Sequence, residues 1–258
     1  MTDTVSDSTT VRAPSLPLFL TEAPRGFAQL SAYPLAAPWL ARAPRDNPHG
    51  VLVLPGFLAT DSSTQLLRRY LRGLGHTVWG WRLGRNLGPT SSILDGMPKA
   101  VELLAERAGS PVSLVGWSLG GVFARELARR RPDLVRQVIT LGSPFALRDP
   151  LQSRAGRAFQ RQAHRHVVGT GPSAETAQPI PVPSTAVYSK RDGIVHWRSC
   201  IEPQTDRHRN VQVRCAHLGF GMDPATFWLV ADRLAKHDPG ASPFVPPALL
   251  RVMYPAPD

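Results

Sequence analysis

Short apolar runs alternate with stretches of helical apolar spacing along most of this chain. The runs predict strands at 51–55, 76–81, 111–115, 135–141, 185–188 and 211–214, and a 3.6-residue spacing predicts helices at 61–73, 95–108, 119–131 and 223–236. When a strand is followed by a helix and then by another strand, the crossover places the two strands parallel. The pattern therefore predicts an α/β fold with a mostly parallel central sheet and helices on both faces.

Four segments fall outside this alternation and divide the chain. They are a polar tail that we expect to be disordered (1–15), an apolar segment whose prolines should limit it to short helices packed on the body (16–48), an insertion rich in arginine, glycine and proline (144–183), and a proline-rich C-terminal tail (241–258). The predicted α/β core is then formed by residues 49–143 and 184–240.

Composition adds a strong positive charge without indicating a nucleic-acid partner. The formal net charge of the 258 residues is +11, and nearly all of the excess is arginine, because the only lysines are Lys99, Lys190 and Lys236. The arginines are scattered, and aromatic residues do not interleave with them as a base-stacking surface would require. We therefore predict an arginine-rich surface exposed to solvent and no nucleic-acid binding.

Hydropathy gives no sign of a membrane span or an export signal. No run of 18 or more apolar residues occurs, so we predict no stable membrane insertion. The polar segment 1–10 lacks a basic region followed by an apolar stretch, which a secretory signal would have. We expect a cytoplasmic protein, and the sequence leaves open a signal removed by processing.

The segment Gly116-Trp117-Ser118-Leu119-Gly120 matches the pattern G-x-S-x-G. It follows a predicted strand and begins a predicted helix, which is the context in which this motif holds a nucleophilic serine on a tight turn. The turn lifts the hydroxyl above the sheet and places the N–H of Leu119 at a helix N-terminus. A glycine-rich turn without chemistry is the alternative interpretation, and the strand and helix around the serine favour the nucleophile.

A nucleophilic serine needs a general base, and the base needs a carboxylate that orients it. Asp192 follows the predicted strand at 185–188, and His217 follows the strand at 211–214. Carboxyl ends of parallel strands meet at one edge of a sheet, so these two residues should lie on the same edge as Ser118. The alternatives are an ordinary turn aspartate and an ordinary loop histidine.

The loop after the first strand is the candidate source of a second oxyanion donor. It reads Leu54-Pro55-Gly56-Phe57, and the N–H of Phe57 would join that of Leu119 in an oxyanion hole. Arg85 and Asn86, in the loop after the second strand, are candidates for shaping this loop by hydrogen bonds. A glycine-rich turn explains those two residues equally well.

Together these motifs resemble the α/β-hydrolase superfamily, and more narrowly its bacterial lipase and esterase members, over about residues 50–236. The resemblance implies Ser118 as nucleophile, His217 as base, Asp192 as its partner, and Phe57 with Leu119 as oxyanion donors. It also implies that the insertion at 144–183 is a cap or lid. Many relatives have His-Gly before the oxyanion residue, whereas this chain has Pro55-Gly56, so any contact from that histidine side chain is missing.

The expected substrate is a small-molecule or lipid ester with an apolar acyl group. Trp117, Phe145 and Phe220 are the predicted pocket residues, and the insertion adds apolar residues that we expect to face inward: Phe145, Leu147, Leu151, Phe159 and Val167. No cofactor and no metal are predicted, because no histidine and carboxylate residues have ligand spacing. The sequence leaves the oligomeric state open.

Two further functions stay open at this point. An acyltransferase or thioesterase would use the same residues on a carrier-bound acyl group, and a binding protein would keep the fold without turnover.

Cys200 and Cys215 lie near the acid and base loops, so a disulfide that steadies both loops is a hypothesis, with two buried thiols as the alternative.

Overall fold

A six-stranded parallel sheet lies at the centre of the computed structural model, which describes residues 12–147, 149–166, 174–236 and 243–255. The strand order is β2-β1-β3-β4-β5-β6. The strands are β1 (Gly50–Leu54), β2 (Thr77–Gly80), β3 (Val112–Trp117), β4 (Val135–Leu141), β5 (Ser184–Ser189) and β6 (His208–Val213). Every neighbouring pair is parallel, which confirms the predicted fold class.

Eight α-helices in the described residues connect or cover these strands. They are α1 (Leu16–Leu20), α2 (Glu22–Leu40), α3 (Gln65–Gly73), α4 (Ser91–Ala108), α5 (Leu119–Arg130), α6 (Gly156–His166), α7 (Ala174–Ala177) and α8 (Pro224–Ala235). Short 3-10 helices supplement them, including Asp61–Thr64 before α3 and His217–Gly219 after β6. α-Helices therefore stand between successive strands from β1 to β5, and α3, α4 and α5 are the three crossover helices that the sequence pattern predicts. Within the described residues, the connection from β5 to β6 contains only the 3-10 helix Trp197–Cys200.

Most of the core lies in two parts, one on each face of the sheet, and a small third cluster contains Tyr188, Val195 and Cys200. Because side chains alternate across a strand, Val51 and Val53 join the cluster that holds α3 and α8, whereas Leu52 and Leu54 join the cluster that holds α4 and α5. A strand covered on both faces needs apolar residues at every position. This explains the continuous apolar run in β1.

The N-terminal segment differs from the expectation of short helices only. Although α1 is short, Glu22–Leu40 is one helix that contains Pro34 and Pro38. A proline removes a helix N–H and leaves the carbonyl four residues earlier without its donor. Those carbonyls belong to Leu30 and Pro34, which are exposed residues, so the lost hydrogen bonds fall on the solvent side and the helix continues.

The two chain ends and the insertion contain more structure than their composition suggests. Residues 1–11 lie outside the described residues, but Pro14 is buried and its carbonyl accepts hydrogen bonds from Arg154. Near the other end, Tyr254 is buried and donates its hydroxyl to the carbonyl of Ala225, 2.6 Å away. The insertion, whose sequence shows no regular spacing of apolar residues, contains α6 and α7.

None of the helices in these described ranges is both long enough and apolar enough to cross a bilayer.

Candidate active site

Ser118 lies on the turn between β3 and α5 with a backbone conformation that non-glycine residues rarely adopt. Its φ is +53° and its ψ is −122°. The turn is tied down on both sides, because the N–H of Ser118 donates to the carbonyl of Leu141 at 2.8 Å and its carbonyl accepts from Gly121 at 3.0 Å. Strain of this kind persists only where the surroundings impose it, and it clusters at functional sites.

The two motif glycines are required by close backbone packing. A Cβ on Gly116 would lie 2.3 Å from the Cα of Gly121, and a Cβ on Gly120 would lie 2.4 Å from the carbonyl oxygen of Leu54. Neither position therefore accepts a side chain unless the backbone moves. The flanking glycines let the turn pack directly against β1 and α5.

Asp192 and His217 are hydrogen-bonded to each other in the loops after β5 and β6. The Nδ1 of His217 lies 2.6 Å from the Oδ2 of Asp192, and both side chains are buried. The other oxygen of Asp192 accepts the N–H groups of Ile194 and Val195 at 2.8 and 2.7 Å. The carboxylate is thus held by three hydrogen bonds, and it orients the imidazole.

This pair determines which nitrogen of His217 is available for chemistry. An ionised carboxylate only accepts hydrogen bonds, so Nδ1 carries the proton and Nε2 is left as a proton acceptor. Burial lowers the pKa of His217, whereas the charges of Asp192 and Glu22 and the hydrogen bond to Asp192 raise it, and the net direction is upward. Nε2 of His217 therefore has the character of a general base.

The base loop is attached to the serine turn through the residue that precedes the serine. Trp117 donates its indole N–H to the carbonyl of His217 at 3.2 Å, and its ring centre lies 6.4 Å from that of the imidazole. Phe220 meets the imidazole edge-on at 6.1 Å and is completely buried. Trp117 and Phe220, which we predicted as pocket residues, therefore support His217 from the protein interior.

Two backbone N–H groups near Ser118 have no acceptor among the described residues, namely those of Phe57 and Leu119. Leu119 is the first residue of α5, where N–H groups have no partner within the helix. The loop that carries Phe57 touches the serine, because a Cβ on the neighbouring Gly56 would lie 3.3 Å from the Cβ of Ser118. The backbone at both residues thus lies next to Ser118, and both residues line the same cavity as the serine.

Asn86 braces the loop that carries Phe57. It is completely buried, and its side-chain amide donates to the carbonyl of Pro55 at 2.8 Å and accepts the N–H of Gly88 at 3.1 Å. Its backbone carbonyl accepts the N–H of Leu58 at 2.7 Å. Of the two residues suggested for this role, Asn86 makes these contacts, and no hydrogen bond of Arg85 to this loop is found within the described ranges.

Replacing Asn86 by aspartate is expected to lower kcat by about tenfold, with little change in KM, for the ester hydrolysis that the sequence motifs predict. Aspartate can still accept the N–H of Gly88 but cannot donate to Pro55, and one lost hydrogen bond is worth about 1 kcal/mol. Steady-state kinetics on a p-nitrophenyl ester measures both constants. An unchanged kcat in a variant with an unaltered melting temperature would contradict a role in holding the oxyanion loop.

A narrow cavity of about 60 Å³ opens at Ser118. Its other lining residues come from the oxyanion loop, the serine turn, the insertion and the acid loop: Phe57, Leu119, Pro144, Leu147, Ser153, Ala155, Gly156, Phe159 and Val195. Phe57 and Phe159 face each other across it, edge to face at 5.4 Å. Leu147 and Phe159 therefore line the cavity as expected of the insertion.

Other residues expected in the pocket lie elsewhere. Phe145 is completely buried in the core, where the guanidinium of Arg125 lies 4.0 Å from its ring centre. Leu151 is exposed, and Val167 lies outside the described residues. Neither Trp117 nor Phe220 lines the cavity. The large apolar side chains of Trp117, Phe145 and Phe220 pack in the protein interior, so hydrophobicity alone did not identify the residues that line the pocket.

Glu22, which sequence reasoning missed, joins the acid and base loops. Its Oε1 accepts the N–H groups of Gly193 at 2.6 Å and His217 at 3.1 Å, and its Oε2 accepts that of Leu218 at 3.0 Å. Arg25 pairs with the same carboxylate at 3.0 Å and donates to the carbonyl of Arg191 at 2.7 Å. One buried carboxylate on α2 therefore binds the backbone next to Asp192 and at His217.

The cysteine hypothesis is not supported by the structure. Cys200 and Cys215 are both free and buried, and they belong to different apolar clusters. Burial raises the pKa of each thiol well above its usual value, which disfavours the reactive thiolate. The acid and base loops are instead joined by Glu22 and by a hydrogen bond of 2.6 Å from the hydroxyl of Ser189 to the carbonyl of Cys215.

Among the described residues, no three histidine, cysteine, aspartate or glutamate side chains converge as metal ligands would.

No known family model and no curated protein matches this chain at a significant level. Solved structures do match it. Lipase B of Aspergillus fumigatus is 18% identical over 75% of this chain and 54% of its own, with a TM-score of 0.58. A structure from the work on the metagenome-derived lipolytic enzymes LipS and LipT is 16% identical over 74% of this chain and 92% of its own, with a TM-score of 0.54. The monoacylglycerol lipase of Paleococcus ferrophilus is 19% identical over 76% of this chain and 97% of its own, with a TM-score of 0.50.

The chain thus spans only about half the length of the Aspergillus lipase but nearly the whole length of the other two structures. Identities this low establish the fold alone. The parallel sheet, the serine turn after β3 and these likenesses lead to the same conclusion, which is that the chain has the α/β-hydrolase fold.

Proposed function

We propose that this protein is a serine hydrolase that cleaves carboxylic esters with apolar acyl groups. The observation that carries the proposal is Ser118 on its strained turn, whose neighbour Trp117 is hydrogen-bonded to the loop of a buried Asp192–His217 pair that leaves Nε2 as a proton acceptor. The two N–H groups without acceptors, from Phe57 and Leu119, add the means to stabilise negative charge. The likeness to lipases in fold agrees with this chemistry.

The reaction would proceed in two halves. The hydroxyl oxygen of Ser118 attacks the ester carbonyl while Nε2 of His217 takes the hydroxyl proton, and the oxyanion accepts hydrogen bonds from Phe57 and Leu119. Collapse breaks the bond to the alcohol, which leaves with the proton from His217. Water then attacks the acyl-enzyme and gives a proton to Nε2 of His217. Collapse breaks the bond between the acyl carbon and the Ser118 oxygen, which takes the proton back from His217, and the free acid is released.

The small cavity favours short acyl groups in the conformation described. Its volume of about 60 Å³ is well below the roughly 300–1,000 Å³ of a typical ligand pocket, and its wall is apolar. A long acyl chain would require α6 and the residues before it to move. Apolar side chains at Leu119, Leu147 and Phe159 explain why an acyl group rather than a charged group is the proposed guest.

Hydrolysis of p-nitrophenyl esters from acetate to palmitate is expected to show the highest kcat/KM at short chain lengths, because the cavity admits a few carbon atoms only.

Labelling with a fluorophosphonate, followed by mass spectrometry, should place the modification on Ser118. The matched control is Ser153→Ala, since Ser153 lines the same cavity but donates its hydroxyl to the carbonyl of Ile194 at 3.1 Å. Absence of both turnover and labelling would overturn the proposal.

A further inference from the structure

One half of helix α2 is exposed and almost entirely apolar. Its ten exposed residues are Ala23, Pro24, Phe27, Ala28, Leu30, Ser31, Pro34, Leu35, Pro38 and Trp39. At 100° per residue these positions share one half of the circumference, while the other half packs on the protein. The exposed fractions reach 69% at Phe27 and 81% at Leu35. Ser31 is the single polar side chain on this half of the helix.

Helix α1 and the base loop extend this surface toward the active site. Leu16, Phe19 and Leu20 of α1 are exposed, Leu20 by 67%. Gly26 of α2 lies against Leu218, itself partly exposed and adjacent to His217. We call these exposed residues of α1 and α2, together with Leu218, the apolar face. Isolated exposed apolar residues are common, but ten exposed positions on one half of a helix, nine of them apolar, mark an interaction site.

The exposed charged side chains of the segment 12–45 are all positive. Residues 12–45 contain four arginines and a single acid, Glu22, which is buried and paired with Arg25. Arg12, Arg42 and Arg45 are exposed, and Arg42 lies over the ring of Trp39 at 4.8 Å. A tryptophan and arginines at the margin of an apolar face suit the boundary between lipid headgroups and acyl chains.

We propose that the apolar face binds the surface of an anionic lipid membrane, with Phe27, Leu35 and Trp39 inserted among the acyl chains and the arginines against the headgroups. A protein partner is less suitable, because interfaces between proteins carry about one hydrogen bond per 100–200 Å², whereas this face offers one serine hydroxyl. Covering by residues 1–11 is also unsuitable, because eight of those eleven residues are Ser, Thr or Asp. The net charge of +11 adds attraction to an anionic surface.

Binding by this face does not depend on the proposed function, so the two can fail separately. The test uses the full chain with Ser118→Ala, which removes any hydrolysis of the lipid. Co-sedimentation with vesicles of phosphatidylcholine alone, and of phosphatidylcholine mixed with phosphatidylglycerol, measures the bound fraction. Binding is expected to the mixed vesicles, and added salt should weaken it because the arginine contribution is screened.

Substitutions on the face test whether it is the site of binding. Phe27→Ser and Leu35→Ser should each weaken binding on the order of tenfold, because each removes one inserted side chain. Leu103→Ser is the matched control, since Leu103 is an exposed leucine on α4, and it should bind as the parent does. Equal melting temperatures would show that the variants are folded.

Three results would overturn the proposal. They are no binding to either kind of vesicle, binding that Phe27→Ser and Leu35→Ser leave unchanged, and a concentration-dependent dimer in sedimentation velocity that Leu35→Ser dissociates. The last result would assign the face to a second copy of the chain.

Discussion

Replacing Ser118 by alanine is expected to lower kcat for a short p-nitrophenyl ester on the order of 10⁴- to 10⁶-fold. Alanine lacks the oxygen that forms the acyl-enzyme, so both halves of the proposed reaction are lost. The N–H groups of Phe57 and Leu119 would remain, because their positions depend on the backbone and on Asn86. A small residual rate above that of water alone is therefore expected.

The measurement is the initial rate of ester hydrolysis at equal protein concentrations. Comparing Ser118→Ala with Ser153→Ala distinguishes loss of the nucleophile from a change in the packing of the cavity. Ser153→Ala changes a serine in the same cavity and should retain activity to within about tenfold, the cost of one hydrogen bond. A Ser118→Ala protein that keeps most of its activity would exclude Ser118 as the nucleophile. Activity lost equally in both variants would point to damage of the cavity instead.

Replacing Glu22 by glutamine is expected to lower kcat/KM for the same ester on the order of a hundredfold, although Glu22 does not line the cavity at Ser118. The carboxylate accepts three backbone N–H groups, at Gly193, His217 and Leu218. Glutamine has one acceptor oxygen, and its NH₂ group would face an N–H donor. The base loop would then shift, and small displacements of catalytic groups cost about this much in rate.

The pH profile distinguishes this positioning role from a general loss of structure. The proposed base acts in its neutral form, so kcat/KM should rise as pH increases through the pKa of His217. The negative charge of Glu22 raises that pKa, so its removal should move the acidic limb of the profile to lower pH. Glu22→Asp keeps the charge and should leave the limb near its original position even if the rate falls.

A control variant and two contrary results complete the test. Glu126→Gln alters an exposed ion pair with Arg130 on α5 and should leave rate and pH profile unchanged. A Glu22→Gln protein with normal activity and an unmoved acidic limb would contradict the positioning role. A fall in melting temperature with no change in kcat would show that the contacts of Glu22 serve stability alone.

The strands and the order of the site residues could be read from the sequence because both depend on local signals. A strand covered on both faces is mostly apolar, so β1 stood out as a continuous apolar run, and β3 and β4 as apolar runs interrupted by a few polar residues. A serine turn must be flanked by glycines because the backbones on either side are in contact. Parallel topology then placed the residues after β3, β5 and β6 at one edge.

The pocket and the N-terminal segment could not be read in the same way. Phe145 and Phe220 are as apolar as Phe57 and Phe159, but only the last two line the cavity, because packing rather than hydrophobicity decides which ring is buried. The prolines of α2 suggested short helices, but their lost hydrogen bonds fall on the solvent side.

By itself, then, the sequence determined the parallel sheet, the serine turn, and Asp192 and His217 as its candidate partners, because local periodicity and steric requirements leave marks on neighbouring residues. Only the tertiary structure decided which side chains line the cavity, that the two cysteines stay apart, and that Glu22 holds both loops. The backbone groups that Glu22 binds are 171 to 196 residues away in the chain. A local sequence pattern cannot predict a contact between segments so far apart in the chain, because only the folded backbone brings them together.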